Sequence, residues 1–582
     1  VAGGLAALSL DALSSVAYGP EAIVLVLAAA GTAGLGYTFP VTVAIVALLA
    51  ALIASYRQVI AAFPNGGGAY AVAKAQLGRM ASLVAAASLV IDYVLNVAVA
   101  VAAGVAALTS AFPSLFPYTV ELCLVVLAVI TAVNLRGVAH SARVFMGPTA
   151  VFVGSIGLVI VVGLLRHGPA VAQITPAPAA VETVGLLLLL KAFSSGCAAL
   201  TGVEAIANAV PSFRKPGVRR AQRTEAALGA VLAIMLLGLA ALIGRFHIHP
   251  QGGTTVLAQV TLASIGHNVV FYVVQLSTTV LLALAANTSF GGLPVLGRLL
   301  ATDNYLPHVF ALRADRQVYR YGVGVLAAVS AVLLVIARGD TNTLVPLFAI
   351  GVFVGFTLAG VGMVRHWWTT RGRGWRQRLA INGVGAVLTA AATVITTVAK
   401  FTQGGWIVVV ALPLLVLGFT RIHRAYQRIG ERLGVGHIPP APRESTSLVV
   451  VPVHSVSSLT REALSAALSL GDEVIALRVV YPDEPADMAR FRDEWDAWRP
   501  DVPLALVDAP HRDLARSIIE FIQLQRRDRR IFILIAEIEP EHLWQRLLRN
   551  NRGAVIDRAV RRDTDAIICR LRFRLKPPEP VA

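Results

Sequence analysis

Apolar residues run along the first 421 positions in long blocks separated by short polar connections. Blocks of about 17–25 mostly apolar residues have the length that crosses a bilayer. Twelve are counted, near 4–30, 40–62, 81–111, 118–134, 144–166, 182–209, 223–245, 258–289, 322–337, 343–364, 379–399 and 405–421. The ninth is short, and the eighth is long enough to tilt or run past the membrane. The predicted fold class is an all-α polytopic membrane domain with twelve transmembrane helices. After Arg421 the character changes. Arg424, Arg428 and Arg432 follow, then the Pro-rich stretch Ile438-Pro-Pro-Ala-Pro442, which reads as a linker. From Ser447 on, runs of strand length (Leu448–Val453, Val474–Val480, Leu504–Val507, Ile531–Ala536, Ala566–Cys569) are mostly separated by amphipathic stretches. These are Leu459–Leu470, Met488–Trp498 and Arg512–Arg526. The alternation predicts a cytosolic α/β domain with a mainly parallel sheet. The expected division is 1–421 for the transmembrane domain, 422–446 for the linker and 447–582 for the α/β domain.

Two of the apolar blocks carry echoes of one another. Asp11-Ala-Leu-Ser14-Ser15 leads to Gly19-Pro20-Glu21-Ala22-Ile23, and Lys191-Ala-Phe-Ser194-Ser195 leads to Gly202-Val203-Glu204-Ala205-Ile206. Both read charge-Ala-apolar-Ser-Ser, a variable stretch, then Gly-x-Glu-Ala-Ile, with three extra residues in the second copy. Both put Ser, Gly and carboxylate where lipid demands an unbroken apolar helix. Paired interrupted helices in two halves of a membrane chain point to a transporter's binding site. Their places, spans one and six, imply a 5+5 inverted repeat with broken helices 1 and 6, followed by two further spans.

Composition agrees with the pattern. The chain has 582 residues, 56% of them hydrophobic and 14% charged, with a mean hydropathy of +0.70. A soluble domain rarely reads this way. The net charge of +17 raises nucleic acid as a partner. However, the cations sit between spans and no basic face with interleaved aromatics exists, so nucleic acid is excluded and the lipid bilayer is the partner. Clusters such as Arg214-Lys215, Arg219-Arg220-Arg223 and Arg371–Arg378 fall in one set of connections. Only Arg166, Arg245, Arg338 and Lys400 fall in the other. The bias places both termini in the cytoplasm of a plasma (inner) membrane protein. Cys123, Cys197 and Cys569 make neither a disulfide framework nor a metal pattern. No cofactor, no catalytic residue and no metal beyond a transported ion is expected, so the chain is not read as an enzyme. No cleavable signal is visible; the chain opens on Val1, and a preceding segment is expected.

The interruptions hold the candidate chemistry. In the first, Gly19 tolerates unusual angles and Pro20 lacks an N–H. Unwinding around Ser14, Ser15 and Tyr18 would free carbonyls for a cation or an ammonium group, and would aim a half-helix N-terminus at the cavity. The alternative is a proline kink with its polar groups satisfied locally. In the second, Ser194, Ser195, Thr201 and Glu204 stand in an apolar run. A charge at mid-membrane costs about 2.5–3.5 kcal/mol on insertion scales. Glu204 is therefore the candidate for proton coupling, because withdrawal from water favours the neutral acid and a neighbouring cation favours the carboxylate. The alternative is a neutral carboxyl hydrogen-bonded between helices. Helical spacing would put Thr201 and Glu204 on one side.

Asp11, Asp92, Tyr93 and Asn96 are further candidates for binding the substrate or ion, with Asp92 and Asn96 one turn apart. Either acid could instead pair with Lys191 or an inner-loop arginine. Lys191, at the position of Asp11 in the echo, is a candidate gate or the partner of an ion pair. His267, Gln275 and Asn287 read as interhelical hydrogen-bond partners. Phe63-Pro-Asn-Gly-Gly-Gly-Ala-Tyr70 lacks the Lys and Ser/Thr of a phosphate loop and reads as an inner connection that needs glycine.

The first-break motif, the Phe63–Tyr70 segment and Gly202-Val-Glu204 together resemble the amino acid–polyamine–organocation (APC) superfamily, over all twelve spans. More narrowly, Asp11–Tyr18, Asp92-Tyr93 and Ala199-Leu-Thr201-Gly-Val-Glu204 are similar to the KimA-type potassium importers of the KUP group, which carry a universal-stress-protein-like domain after the last span. The resemblance implies a LeuT-like fold and proton-driven symport. It implies coordination or gating roles for Asp11, Tyr18, Asp92, Tyr93 and Thr201, with Glu204 in coupling. It also implies a cyclic dinucleotide regulator at the cytosolic domain and a homodimer formed through that domain. No residue of the tail matches a binding motif for either, and Asn550–Val560 holds one glycine where nucleotide-binding universal stress domains have a spaced glycine-rich loop. Where the importers tend to have Thr and Ser in the third span, this chain has Asn96 and Ala100. Where they tend to have Tyr in the tenth, it has Phe348, a further candidate gate. Ala and Phe remove two oxygens that a dehydrated potassium ion would use. A proton-coupled amino acid permease therefore stands as the alternative, with a nutrient sensor signalling through the tail as a second.

Overall fold

The computed structural model describes residues 9–66, 68–136, 142–171, 178–312, 319–442, 445–482, 485–509, 513–525, 529–538 and 552–573. Arg512, Arg526 and Asn550, which bound segments discussed above, lie outside them. Contacts divide the chain into two units, Val1–Val435 and Gly436–Ala582.

The first unit is helical. Among the described residues, eleven helical stretches are long and apolar enough to cross a membrane, and Val256–Ile265 and Arg320–Ile336 are shorter apolar helices. The multi-pass membrane reading therefore holds. In chain order the helices are α1 (Leu10–Ser14), α2 (Gly19–Leu27), α3 (Gly31–Leu35), α4 (Thr38–Ala62), α5 (Gly68–Gln76), α6 (Arg79–Ala111), α7 (Thr119–Leu135), α8 (Ala142–Leu165) and α9 (Leu186–Gly196). They continue with α10 (Ala205–Asn208), α11 (Gly217–Arg245), α12 (Val256–Ile265), α13 (Val269–Thr302), α14 (Arg320–Ile336), α15 (Thr341–Thr370), α16 (Trp375–Lys400) and α17 (Gly405–Arg432).

Burial ranks these stretches. In Leu10–Leu35, Arg79–Ala111 and Thr341–Thr370 some 72–78% of the most apolar window is buried, against 17% in Pro113–Leu135 and 22% in Gly405–Arg432. The central helices hold the polar residues singled out above, and the peripheral ones keep apolar side chains for lipid. The small residues of α6 explain its place. Its buried run Val97–Ala103 is all Val and Ala, which lets α13 and α15 approach closely.

Two boundaries differ from the sequence reading. The single span expected at 258–289 is two helices, because Gly266 takes φ +91° and Asn268 caps α13 by accepting from the N–H groups of Val270 and Phe271. His267 thus lies in the connection, near the Tyr272 hydroxyl (3.4 Å), and not inside a span. The last helix does not stop at Arg421 but continues to Arg432. Its Arg421, Arg424, Arg428 and Arg432 recur every three to four residues on a good helix former's spacing, so the chain leaves the apolar zone without leaving the helix.

The second unit is a five-stranded sheet in the order β3-β2-β1-β4-β5, with every pairing parallel. The strands are β1 (Ser447–Pro452), β2 (Glu473–Val480), β3 (Leu504–Asp508), β4 (Arg530–Ile538) and β5 (Ile567–Phe573). The helices are α18 (Ser458–Leu470), α19 (Pro485–Trp498), α20 (Leu514–Leu524) and α21 (Arg552–Asp563). Successive strand side chains point to opposite faces. Accordingly, Leu448 and Val450 enter one core with Ile518 and Val560, while Val449 and Val451 enter the other with Ala467 and Trp495. Covering on both faces is why β1 reads as an unbroken apolar run.

Candidate functional site

Each echo segment departs from regular helix. In the first, α1 ends at Ser14, Ser15–Ala17 form a single 3-10 turn, and Tyr18 (φ −115°) caps α2. Pro20 stands in the first turn of α2, where its missing N–H costs nothing to the new helix and leaves the Val16 carbonyl without an i+4 donor. In the second, α9 ends at Gly196, a 3-10 turn covers Cys197–Leu200, Thr201 is extended, and Gly202 takes φ +77°. Thr201–Glu204 are turn, not helix, so the expected common helical face of Thr201 and Glu204 does not exist. Glu204 stands at the N-terminal boundary of the four-residue α10 without a side-chain bond to it.

The two segments pack against one another. The Ser15 hydroxyl donates to the Ala199 carbonyl (2.8 Å), and the Tyr18 and Thr201 hydroxyls meet at 3.3 Å. A Cβ on Gly19 would stand 2.6 Å from Ala199 Cβ. One on Gly202 would stand 2.6 Å from the Ala12 nitrogen and 2.7 Å from Asp11 Oδ2. Glycine is required at both close approaches, and at Gly202 also by the left-handed backbone.

Around this contact lie buried polar atoms with no hydrogen-bond partner: Asp11 Oδ1, Asp92 Oδ1, Ser194 Oγ and Ser195 Oγ. Orphaned buried polar atoms are rare and call for a ligand or water. Ser14 is satisfied locally, donating to the Asp11 carbonyl at 2.8 Å. Asn96 neighbours Asp11 and donates to Ser289 Oγ (2.9 Å), so its amide is held with its oxygen free of that bond. Tyr93 packs on Gly292, where a Cβ would meet its ring at 2.5 Å. Ala100 and Phe348 are buried and offer no oxygen. Glu204 Oε2 faces the Tyr56 hydroxyl of α4 at 3.5 Å. No ion pair joins Asp11, Asp92 or Glu204 to a Lys or Arg among the described residues.

Lys191 is not at this centre. It lies 3.8 Å from Glu182 and lines a separate cavity of about 330 Å³ with Ser195, Asn342, Lys400 and Gln403. The Lys400 amine donates to Gln403 at 3.1 Å. The glycine-rich connection packs on the end of the second break. A Cβ on Gly66 (φ +78°) would meet the Asn208 carbonyl at 2.5 Å. Just beyond it, Tyr70 and Lys74 both donate to Asp303 Oδ2, at 2.9 and 2.6 Å. Burial first, and then Asp303, push the Tyr70 phenol above its ordinary range, which keeps it a donor. Of the three residues read as interhelical partners, Asn287 accepts from Asn134 (2.6 Å), whereas both polar atoms of Gln275 lack a partner.

Sequence reasoning missed three groups. Tyr56 was not singled out. Glu21 was noted only as a letter of the echo. Glu225 of α11 is fully buried with neither oxygen hydrogen-bonded. It lies between two contacts of α4 with α11, Gln222 to the Arg57 carbonyl (2.8 Å) and Gly229 to Ile53, and so stands opposite Tyr56. The available signal was an acid just inside an apolar block, hidden by the arginines before it.

A many-helix membrane unit with unpartnered buried polar atoms where two apolar stretches leave regular helix fits a transporter, and the comparisons agree. The amino acid permease family model matches residues 6–419, and the model for the C-terminal domain of the KimA potassium transporter matches 443–573. The Bacillus subtilis (strain 168) protein called potassium transporter KimA is 37% identical over 581 residues, covering 98% of this chain and 95% of that protein. The chain belongs to the amino acid–polyamine–organocation superfamily, in its KimA-type branch. Crystal structures of two mutants of the Eremococcus coleocola manganese transporter match with a TM-score of 0.41 and 14% identity, over 74% of this chain and 95% of that one. That likeness is too low to carry an argument.

Proposed function

We propose that the chain is a proton-coupled potassium symporter of the plasma (inner) membrane. In this reading twelve helices form a LeuT-like 5+5 inverted repeat, helices 1 and 6 are broken, and both termini are cytoplasmic. The observation that carries it is the direct contact of the two echo segments beside Asp11 and Asp92, two buried acids with no ion-pair partner among the described residues. The KimA relative supports potassium as the cargo. A potassium ion entering this space sheds water and needs several oxygens in return. Asp11, Tyr18, Asp92, Asn96, Thr201 and the free hydroxyl of Ser194 supply them, with Tyr93 closing the wall. Glu204 carries the proton. Its Oε2 faces the Tyr56 hydroxyl at 3.5 Å, and exchange of that proton against a bound cation is the coupling step. Lys191 and Phe348 act as gates on either side of the bound ion.

The test is uptake by proteoliposomes under an imposed pH gradient, with rubidium compared against a panel of labelled amino acids. Gradient-dependent rubidium uptake is expected, and amino acid uptake without rubidium would replace the reading. One observation favours that second reading, an amino acid permease: Ala100 and Phe348 are buried where extra oxygens would serve a bare cation. For the tail, the match to the KimA C-terminal domain supports a regulatory role in a universal-stress-protein-like fold. A cyclic dinucleotide is its proposed ligand and a homodimer its assembly, to be read by calorimetry and by mass in detergent.

A further inference from the structure

The echo gives Glu204 a counterpart. Glu21 occupies the same place in Gly-x-Glu-Ala-Ile after the first break, and it too is an acid inside an apolar stretch. Such a group is costly in lipid and is functional by default. Its environment differs from that of Glu204. Glu21 Oε2 accepts from the Val256 N–H at 3.2 Å, which fixes the carboxylate against the start of α12. No ion pair to Glu21 exists among the described residues.

Beside it lies a cavity with room for one water-sized sphere, about 20 Å³, which is just above what a single water needs. A potassium or rubidium ion has nearly the radius of a water molecule. The polar side chains around it are Glu21, Tyr18, Thr255, Thr278 and Thr341, and none of the lining residues is basic. Thr341 is buried (8% exposed), and its hydroxyl has no hydrogen-bond partner. Thr278 donates its proton to the Val274 carbonyl (2.7 Å), which leaves its oxygen lone pairs available. Tyr18 borders the cavity while its hydroxyl touches Thr201, so the cavity adjoins the central site.

We propose that Glu21, Thr341 and Thr278 form a second site for a dehydrated monovalent cation, walled by Thr255 and Tyr18, one step outside the central site on the route inward. The inference rests on the cation-transport reading above. Inverted topology puts Glu21 and Glu204 on opposite sides of the centre, so one carboxylate receives the cation from outside while the other handles the proton inside. The carboxylate supplies the charge and the hydroxyls replace hydration oxygens.

The test is rubidium uptake by proteoliposomes of the full chain across a range of external rubidium. Glu21→Gln is expected to raise the apparent KM roughly tenfold, a larger factor than any fall in turnover. Thr341→Val, nearly isosteric, is expected to raise KM by about threefold, and Glu21→Asp to recover most of the loss. Unchanged KM in Glu21→Gln and Thr341→Val would make the cavity a water pocket only and overturn the site. A fall in turnover with KM constant would do so as well, since that marks a purely structural role. Should Glu21→Gln fail to fold, Thr341→Val and Glu21→Asp decide alone. Failure of the wild-type chain to take up rubidium would instead end the transport reading itself.

Discussion

The same seven shared letters fold in two ways at the two echo segments. After Tyr18 the chain recovers at once, because Pro20 starts a nine-residue helix with its φ already set. After Leu200 it does not. The three extra residues let Thr201 go extended and Gly202 go left-handed, and only a four-residue helix follows. The first break is a kink with a turn of 3-10 helix; the second is an opening. The hydroxyls follow the same division. Ser15 is bonded across the contact, whereas its counterpart Ser195 has no partner. The first segment bonds across the contact, and the second leaves the Ser194 and Ser195 hydroxyls without a partner.

This contrast can be broken at three positions. The largest effect is expected from Glu204→Gln, which should abolish the pH dependence of rubidium uptake while the protein still folds; unchanged dependence would remove Glu204 from coupling. Glu21→Gln should leave that dependence in place and change the affinity for rubidium. Next in size is glycine. Gly202→Ala adds a Cβ against rigid backbone and forces a left-handed residue, a strain of about 1–3 kcal/mol before the clash with Ala12 is counted. Gly19→Ala adds only the clash with Ala199. The melting temperature in detergent should therefore fall further for Gly202→Ala, and equal falls would deny that the second break is the strained one. The smallest effect separates the serines. Ser15→Ala loses a buried bond worth about 1 kcal/mol. Ser195→Ala loses none, and should leave the melting temperature where it was.

Much of this was legible in the chain. The apolar blocks gave the spans, because in lipid the backbone must satisfy itself and helices must therefore be long and apolar. The echo marked the two segments that depart from regular helix, and alternation located the strands of the tail. What the pattern could not give was local angles. Nothing in Thr201-Gly-Val-Glu204 distinguishes a helical glycine from one at φ +77°, so the one-sided placement of Thr201 and Glu204 was lost. The division at Gly266 was hidden because His267 and Asn268 are a brief polar interruption between two apolar runs. Glu225 was hidden because arginines precede it, and a polar residue at a span's edge looks solvated until packing with α4 buries it. The extension of α17 to Arg432 shows the reverse case, a helix that outlasts its apolar letters.

The central claim is that a cation rests between the two breaks. Anomalous diffraction from crystals of the full chain grown in rubidium tests it most directly. The account predicts a peak enclosed by Asp11, Tyr18, Asp92 and Thr201. A chain that transports rubidium yet shows no peak there, or one only in the cavity lined by Lys191, would contradict it.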